Sequence, residues 1–127
     1  MLKTTVDLVT RREDGTFVMV LVEEGPWLNS HEDHLRVLQG RLYDYLDIVI
    51  DGGLAAKFPE SDGASVEILV DALNTPSGVI PAFVRHFESA VRSSHEYSSS
   101  IGDSSYVNSV VFDCAESPGN SRDESAV

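Results

Sequence analysis

Sulfur is nearly absent from this sequence. One cysteine, Cys114, stands among 127 residues, so no disulfide can close within the chain. Long apolar runs are missing too, and none approaches the roughly 18 residues of a membrane span. Positive charge is scarce. Nine Lys/Arg face 21 Asp/Glu, for a formal charge of −12 and a pI near 4.5. Phosphate backbones repel such a surface. The only adjacent basic pair, Arg11–Arg12, is followed at once by Glu13 and Asp14. Nucleic-acid binding is therefore not expected. No apolar signal-peptide core follows Met1, since the chain turns polar by Arg11, and a cytoplasmic protein is the expectation. Catalytic signatures are missing as well. There is no G-x-S-x-G elbow, no G-x-x-x-x-G-K-[ST] loop and no G-x-G-x-x-G fingerprint. No cofactor is implied.

What is present suffices for one core, at 42% hydrophobic residues. Composition changes near residue 93. Residues 1–92 carry 8 Lys/Arg against 15 Asp/Glu, whereas 93–127 carry 1 against 6 and hold 11 serines in 35 residues. The reading is one domain over 1–92 and a serine-rich, largely flexible acidic tail over 93–127. Within that tail, 106–113 is β-branched and aromatic enough for a short strand.

Periodicity orders the front part. Val6 and Leu8 alternate in a first strand, Asp14-Gly15 makes a tight turn, and Phe17 to Val22 is apolar on both faces, as an inner strand requires. Leu35, Leu38, Leu42, Tyr45, Leu46 and Val49 recur at helical steps and predict a helix over 31–50, stopped by Asp51-Gly52-Gly53. The stretch 54–65 reads as a loop. Val66, Ile68, Val70 and Ala72 alternate with Glu67 and Asp71 as a third strand. Ser77 is the expected cap of a second helix over 78–92, with Ile80, Phe83, Val84, Phe87 and Val91 as its apolar stripe. The expected fold is α+β, in β-β-α-β-α order. A small, mainly antiparallel sheet of three strands, or four with 106–113, is covered on one face by two helices.

Several of these residues carry a resemblance. Trp27 after the hairpin, Leu38-Gln39 and Tyr45-Leu46 in the helix, Gly53, and Phe58-Pro59 before the valine/isoleucine strand resemble the DUF6572 family of small bacterial proteins of unknown function. The resemblance covers roughly residues 5–90. It implies a fold, but no activity and no catalytic residues.

Candidate sites follow from charge and spacing. His31 and His34 flank two carboxylates in "SHEDHL", but a zincin helix needs its histidines four apart and these are three apart. A metal would also need a third ligand. A helix start explains the stretch better. Ser30 or Asn29 caps it, and Glu32 and Asp33 favour the positive end of the dipole. Asp44, Asp47 and Asp51 share one helical face with Tyr43 beside them. This face is either simply solvated or docks a basic partner; aspartates on one rigid helix seldom converge on an ion. Trp27, with Glu23 and Glu24, closes the hairpin and either packs under the helix or anchors a contact. Cys114 is flanked by Asp113 and Glu116, which disfavour its thiolate.

The leading expectation is a non-catalytic protein-binding domain, using Glu23, Glu24, Trp27, Tyr43, Asp44, Asp47 and Asp51 toward a protein partner of basic character. Immunity proteins that neutralise basic toxins are the analogy. The alternatives are a metal-dependent site at His31 and His34, and a homodimer or larger homo-oligomer joined through an exposed sheet edge.

Overall fold

A computed structural model of the chain describes residues 8–28 and 30–117. The order is β1 (Leu8–Arg11), β2 (Phe17–Glu24), α1 (His31–Ile50), α2 (Gly53–Lys57), a 3-10 turn (Pro59–Ser61), β3 (Ala64–Leu73), α3 (Val79–Ser93), α4 (His95–Asp103) and β4 (Val107–Ser117). Val6 of the expected first strand, the Asn29 alternative cap and the tail beyond Ser117 lie outside the described residues.

The four strands form one sheet in the order β1-β2-β3-β4. β1 and β2 make the expected antiparallel hairpin, in register Leu8 with Val20 and Arg11 with Phe17. Its turn is held by the Asp14 carboxylate, which accepts the Thr16 N–H at 2.9 Å. The other two ladders are parallel: Phe17 to Glu24 pairs with Val66 to Leu73, and β3 with β4 along its length. The expectation of a mainly antiparallel sheet is therefore corrected to a mixed one. The reason lies in the connections. A helix between two adjacent strands returns the chain to its starting end, and the second strand must then run parallel to the first. Here α1 links β2 to β3, and α3 with α4 links β3 to β4. Both crossovers step the same way across the sheet, and the right-handed rule puts their helices on one face.

Burial agrees with that placement. Phe17, Met19 and Leu21 of β2, Val66, Ile68, Val70 and Ala72 of β3, and Val110 and Phe112 of β4 join one core with Leu38, Leu42, Tyr45, Leu46 and Val49 of α1 and Ile80, Val84, Phe87 and Val91 of α3. Each such large side chain contributes roughly 1.5–3 kcal/mol by burial. The Tyr45 hydroxyl, fully inside, donates to the Val20 carbonyl at 3.1 Å, so the ring enters the core with its polar atom satisfied. Ser30 caps α1 and accepts the Asp33 N–H at 3.2 Å. Asp51 is its C-cap, and Gly52 follows at φ +92°, the left-handed turn that ends the helix.

Four further readings change. Residues 54–65 are not all loop, since α2 and the 3-10 turn occupy most of the span. Gly78, not Ser77, stands at the N-cap of α3, and its N–H is taken up by Glu116 Oε2 at 2.8 Å. The serine-rich stretch expected to be flexible contains α4. Tyr97 and Ile101, four apart, pack on the core, and Ser94 caps the helix. The strand expected at 106–113 runs from Val107 to Ser117 and completes the sheet beyond residue 92.

Candidate functional site

The amphipathic pattern of α1 buries one stripe against the sheet and so decides which side chains face outward. Two groups result, on different sides of the helix. His34 and Asp47 are thirteen residues apart, or about 20 Å along the axis.

The first group lies where β2 hands over to α1. Trp27 stacks face to face on His34, with ring centroids 4.7 Å apart and planes 5° from parallel. His31 meets the same indole edge-on at 5.7 Å. The indole N–H donates to Glu23 Oε2 at 3.3 Å, and Arg41 holds the other carboxylate oxygen at 3.4 Å. Arg41 also donates to the Val22 carbonyl at 3.1 Å. Burial pushes the Glu23 carboxyl above its ordinary range; the Trp27 hydrogen bond and the charges of Arg41 and His34 oppose this. Glu23 and Trp27 thus form an internal clasp. The two histidines, unexplained by a helix start alone, are the walls of the indole's seat. Their own spacing of three residues puts both on one side of the first turns of α1. Glu24, one residue on, is exposed at the end of the strand.

The second group is the acidic stripe. Asp44, Asp47 and Asp51 are all exposed on the outer face of α1. Tyr43 is packed rather than presented, against Phe87 at 4.8 Å and Tyr97 at 5.4 Å. The Tyr97 hydroxyl donates to Asp47 Oδ1 at 3.4 Å. Glu96 of α4 adds a fourth carboxylate near Asp47. The Asp47 carboxyl is raised above its ordinary range, first by desolvation and then by Asp51, Asp44 and Glu96, with the Tyr97 hydrogen bond in opposition. No basic residue sits in the last turn of α1 to offset these charges. Glu96 and Tyr97 lie in the serine-rich stretch, whose composition conceals α4.

Other groups are accounted for locally. Among the described residues no three His, Cys, Asp or Glu side chains are placed to hold a metal ion. Burial pushes the Cys114 thiol up to about 11, with Glu116, Asp113 and Asp71 adding to it, so it is a poor nucleophile at neutral pH. No described helix is long and apolar enough to cross a membrane.

Comparison with known proteins gives one match. A family model described as a family of unknown function, DUF6572, matches residues 2–101. No curated protein and no solved structure matches.

Proposed function

The chain belongs to the DUF6572 family, a family of unknown function; from that membership and the geometry above, we propose that it is a small, non-catalytic domain that docks a basic protein along the outer face of α1. The observation that supports this reading is the crowding of Asp44, Asp51 and Glu96 around Asp47 on one exposed surface, each of them raising the Asp47 carboxyl. Partial desolvation and the charges of Asp51, Asp44 and Glu96 both disfavour the Asp47 carboxylate in the free protein. A lysine- or arginine-bearing partner relieves both terms on binding, and charge complementarity of this kind speeds association and selects partners. The clasp at Trp27 fixes how α1 leaves the sheet, and so keeps the stripe rigid. A cytoplasmic neutraliser of a basic protein, of the immunity or antitoxin kind, is the biological form of the proposal, by analogy.

The test is differential capture. Wild-type protein and the variant Asp44→Asn/Asp47→Asn/Asp51→Asn serve as baits against a lysate of the native host at low salt. A basic protein held by the wild type and lost from the variant supports the reading. Equal recovery on both baits counts against it.

A further inference from the structure

The sheet has a second face, and no described helix covers it. Strand register places Leu8 and Thr10 of β1, Val18, Val20, Val22 and Glu24 of β2, Glu67, Leu69, Asp71 and Leu73 of β3, and Val111, Asp113 and Ala115 of β4 on the side opposite the helices. None of them joins the core cluster. Leu8 and Val111, two of the few large apolar side chains left open to solvent, are 53% and 41% exposed and both lie here. Val18 and Val20 at the centre are only 3% and 8% exposed, so the apolar surface left to solvent lies at Leu8, Val22, Leu69 and Val111.

Charge on this face is one-sided. Glu24, Glu67, Asp71 and Asp113 bring four carboxylates. Arg12 is the one cation the described residues place near them, and it is spent. It reaches across β2, over Val18, to Glu67 Oε1 through two hydrogen bonds of 2.8 and 3.1 Å. The second oxygen of Glu67 is buried and has no hydrogen-bond partner. A carboxylate 8% exposed with half its acceptor capacity unfilled is expensive.

We propose that this sheet face is a docking surface for a basic amphipathic helix of a partner protein, the helix laying an apolar stripe on Val22, Leu69 and Val111 and setting lysine or arginine beside Asp71 and Asp113. This is a surface separate from the α1 stripe and does not rest on it. The dimensions suit a helix. Leu69 to Leu73 spans about 13 Å along β3, and a helix about 10 Å wide covers two strands 4.8 Å apart with their flanks. A helix there would make the third layer of a doubly covered sheet, the usual setting for parallel strands. A second copy of the chain is a poor occupant, because it would face four carboxylates with four more. The residues after Ser117 fit no better, since Asp123 and Glu124 outnumber Arg122.

The probe is a synthetic leucine/lysine peptide of about 18 residues, about 27 Å as a helix, with its leucines on one stripe. A scrambled peptide of equal composition is the control. The full chain, labelled with ¹⁵N, is titrated with each and followed by NMR, with affinity measured by fluorescence anisotropy. Two variants, Leu8→Ser/Val111→Ser and Asp71→Asn/Asp113→Asn, change exposed or half-exposed positions, and circular dichroism checks that both remain folded. The expected result is tighter binding of the amphipathic peptide than of the scrambled one, shifts concentrated on β2, β3 and β4, and at least tenfold weaker binding to each variant. The idea is overturned if the two peptides bind alike, if shifts map to Asp44, Asp47 and Asp51 instead, or if no binding occurs at about 1 mM peptide. Two further results overturn it: wild-type dimers in sedimentation that Val111→Ser dissociates, and nuclear Overhauser contacts from the Val22 or Leu69 methyls to residues 1–7 in the free protein.

Discussion

Replacing Asp47 by asparagine should stabilise the fold while weakening the interaction proposed for it. Asp47 has like charges at i−3, Asp44, and at i+4, Asp51, and each such pair opposes a helix by roughly 0.2–0.5 kcal/mol. It also stands near the negative end of the α1 dipole, where a carboxylate is unfavourable by about 0.3–1 kcal/mol at low salt. The site is exposed, so screening discounts both terms, and their sum is taken as about 1 kcal/mol. Asparagine keeps an oxygen for the Tyr97 hydroxyl, so the hydrogen bond to α4 survives. The sign with pH is definite. Asp47 titrates above its ordinary value of 3.8 in the folded protein, chiefly through desolvation. The folded state therefore holds this proton more tightly than the unfolded one. Its contribution is fully present below pH 3.8 and is lost as pH rises through the raised folded value. The variant removes this loss, so its advantage appears at neutral pH and vanishes in acid. Thermal unfolding followed by circular dichroism should show a Tm about 3 °C higher at pH 7. The gain should be larger at about 0.01 M salt than at about 1 M, where the Debye length falls to about 3 Å and chiefly the desolvation part is left. A lower Tm for Asp47→Asn at pH 7 and low salt would refute the electrostatic reasoning.

Three other outcomes follow from the packing. Phe87→Ala should cost about 3–5 kcal/mol in denaturant unfolding, because its ring packs at once on Tyr43 and Phe112, at 4.8 and 5.3 Å. Gly52→Ala should destabilise by about 1–2 kcal/mol from its left-handed backbone alone. It should lose more from a Cβ that would meet the Tyr106 ring at 2.8 Å, and Tyr106→Ala in the same protein should recover only that second part. Alkylation of Cys114 near pH 7, followed by mass spectrometry, should be about 100-fold slower in the folded than in the denatured chain, as a thiol pushed from 9.0 to about 11 requires; equal rates would contradict its burial.

Helices α1 and α3 and the hairpin are legible because their signals are local. The stripe from Leu35 to Val49, the Ser30 cap and the Gly52 stop all lie within α1 or beside it, and its limits emerge as read. Strand direction is not written locally. Side chains alternate identically in parallel and antiparallel ladders, so Val66, Ile68 and Val70 announce a strand without its orientation. The information lay in the connection: the 39 residues between Glu24 and Ala64 contain a long helix, which calls for a parallel return. Helix α4 was obscured by its serines, which favour turns and caps over helix interiors. It is held by tertiary packing of Tyr97 and Ile101 rather than by propensity. At the site, the exposure of Asp44, Asp47 and Asp51 followed from periodicity. The sequestering of Glu23 and Trp27 did not, because it depends on Arg41 and His34 arriving from the facing helix.

The most direct measurement is the affinity of the captured basic partner for wild-type protein and for Asp44→Asn/Asp47→Asn/Asp51→Asn, each across a range of salt. Docking on α1 predicts wild-type binding that weakens steeply with salt, and a variant at least tenfold weaker at low salt with a shallower salt dependence. Equal affinities with equal salt dependence would contradict it and move the partner off this face.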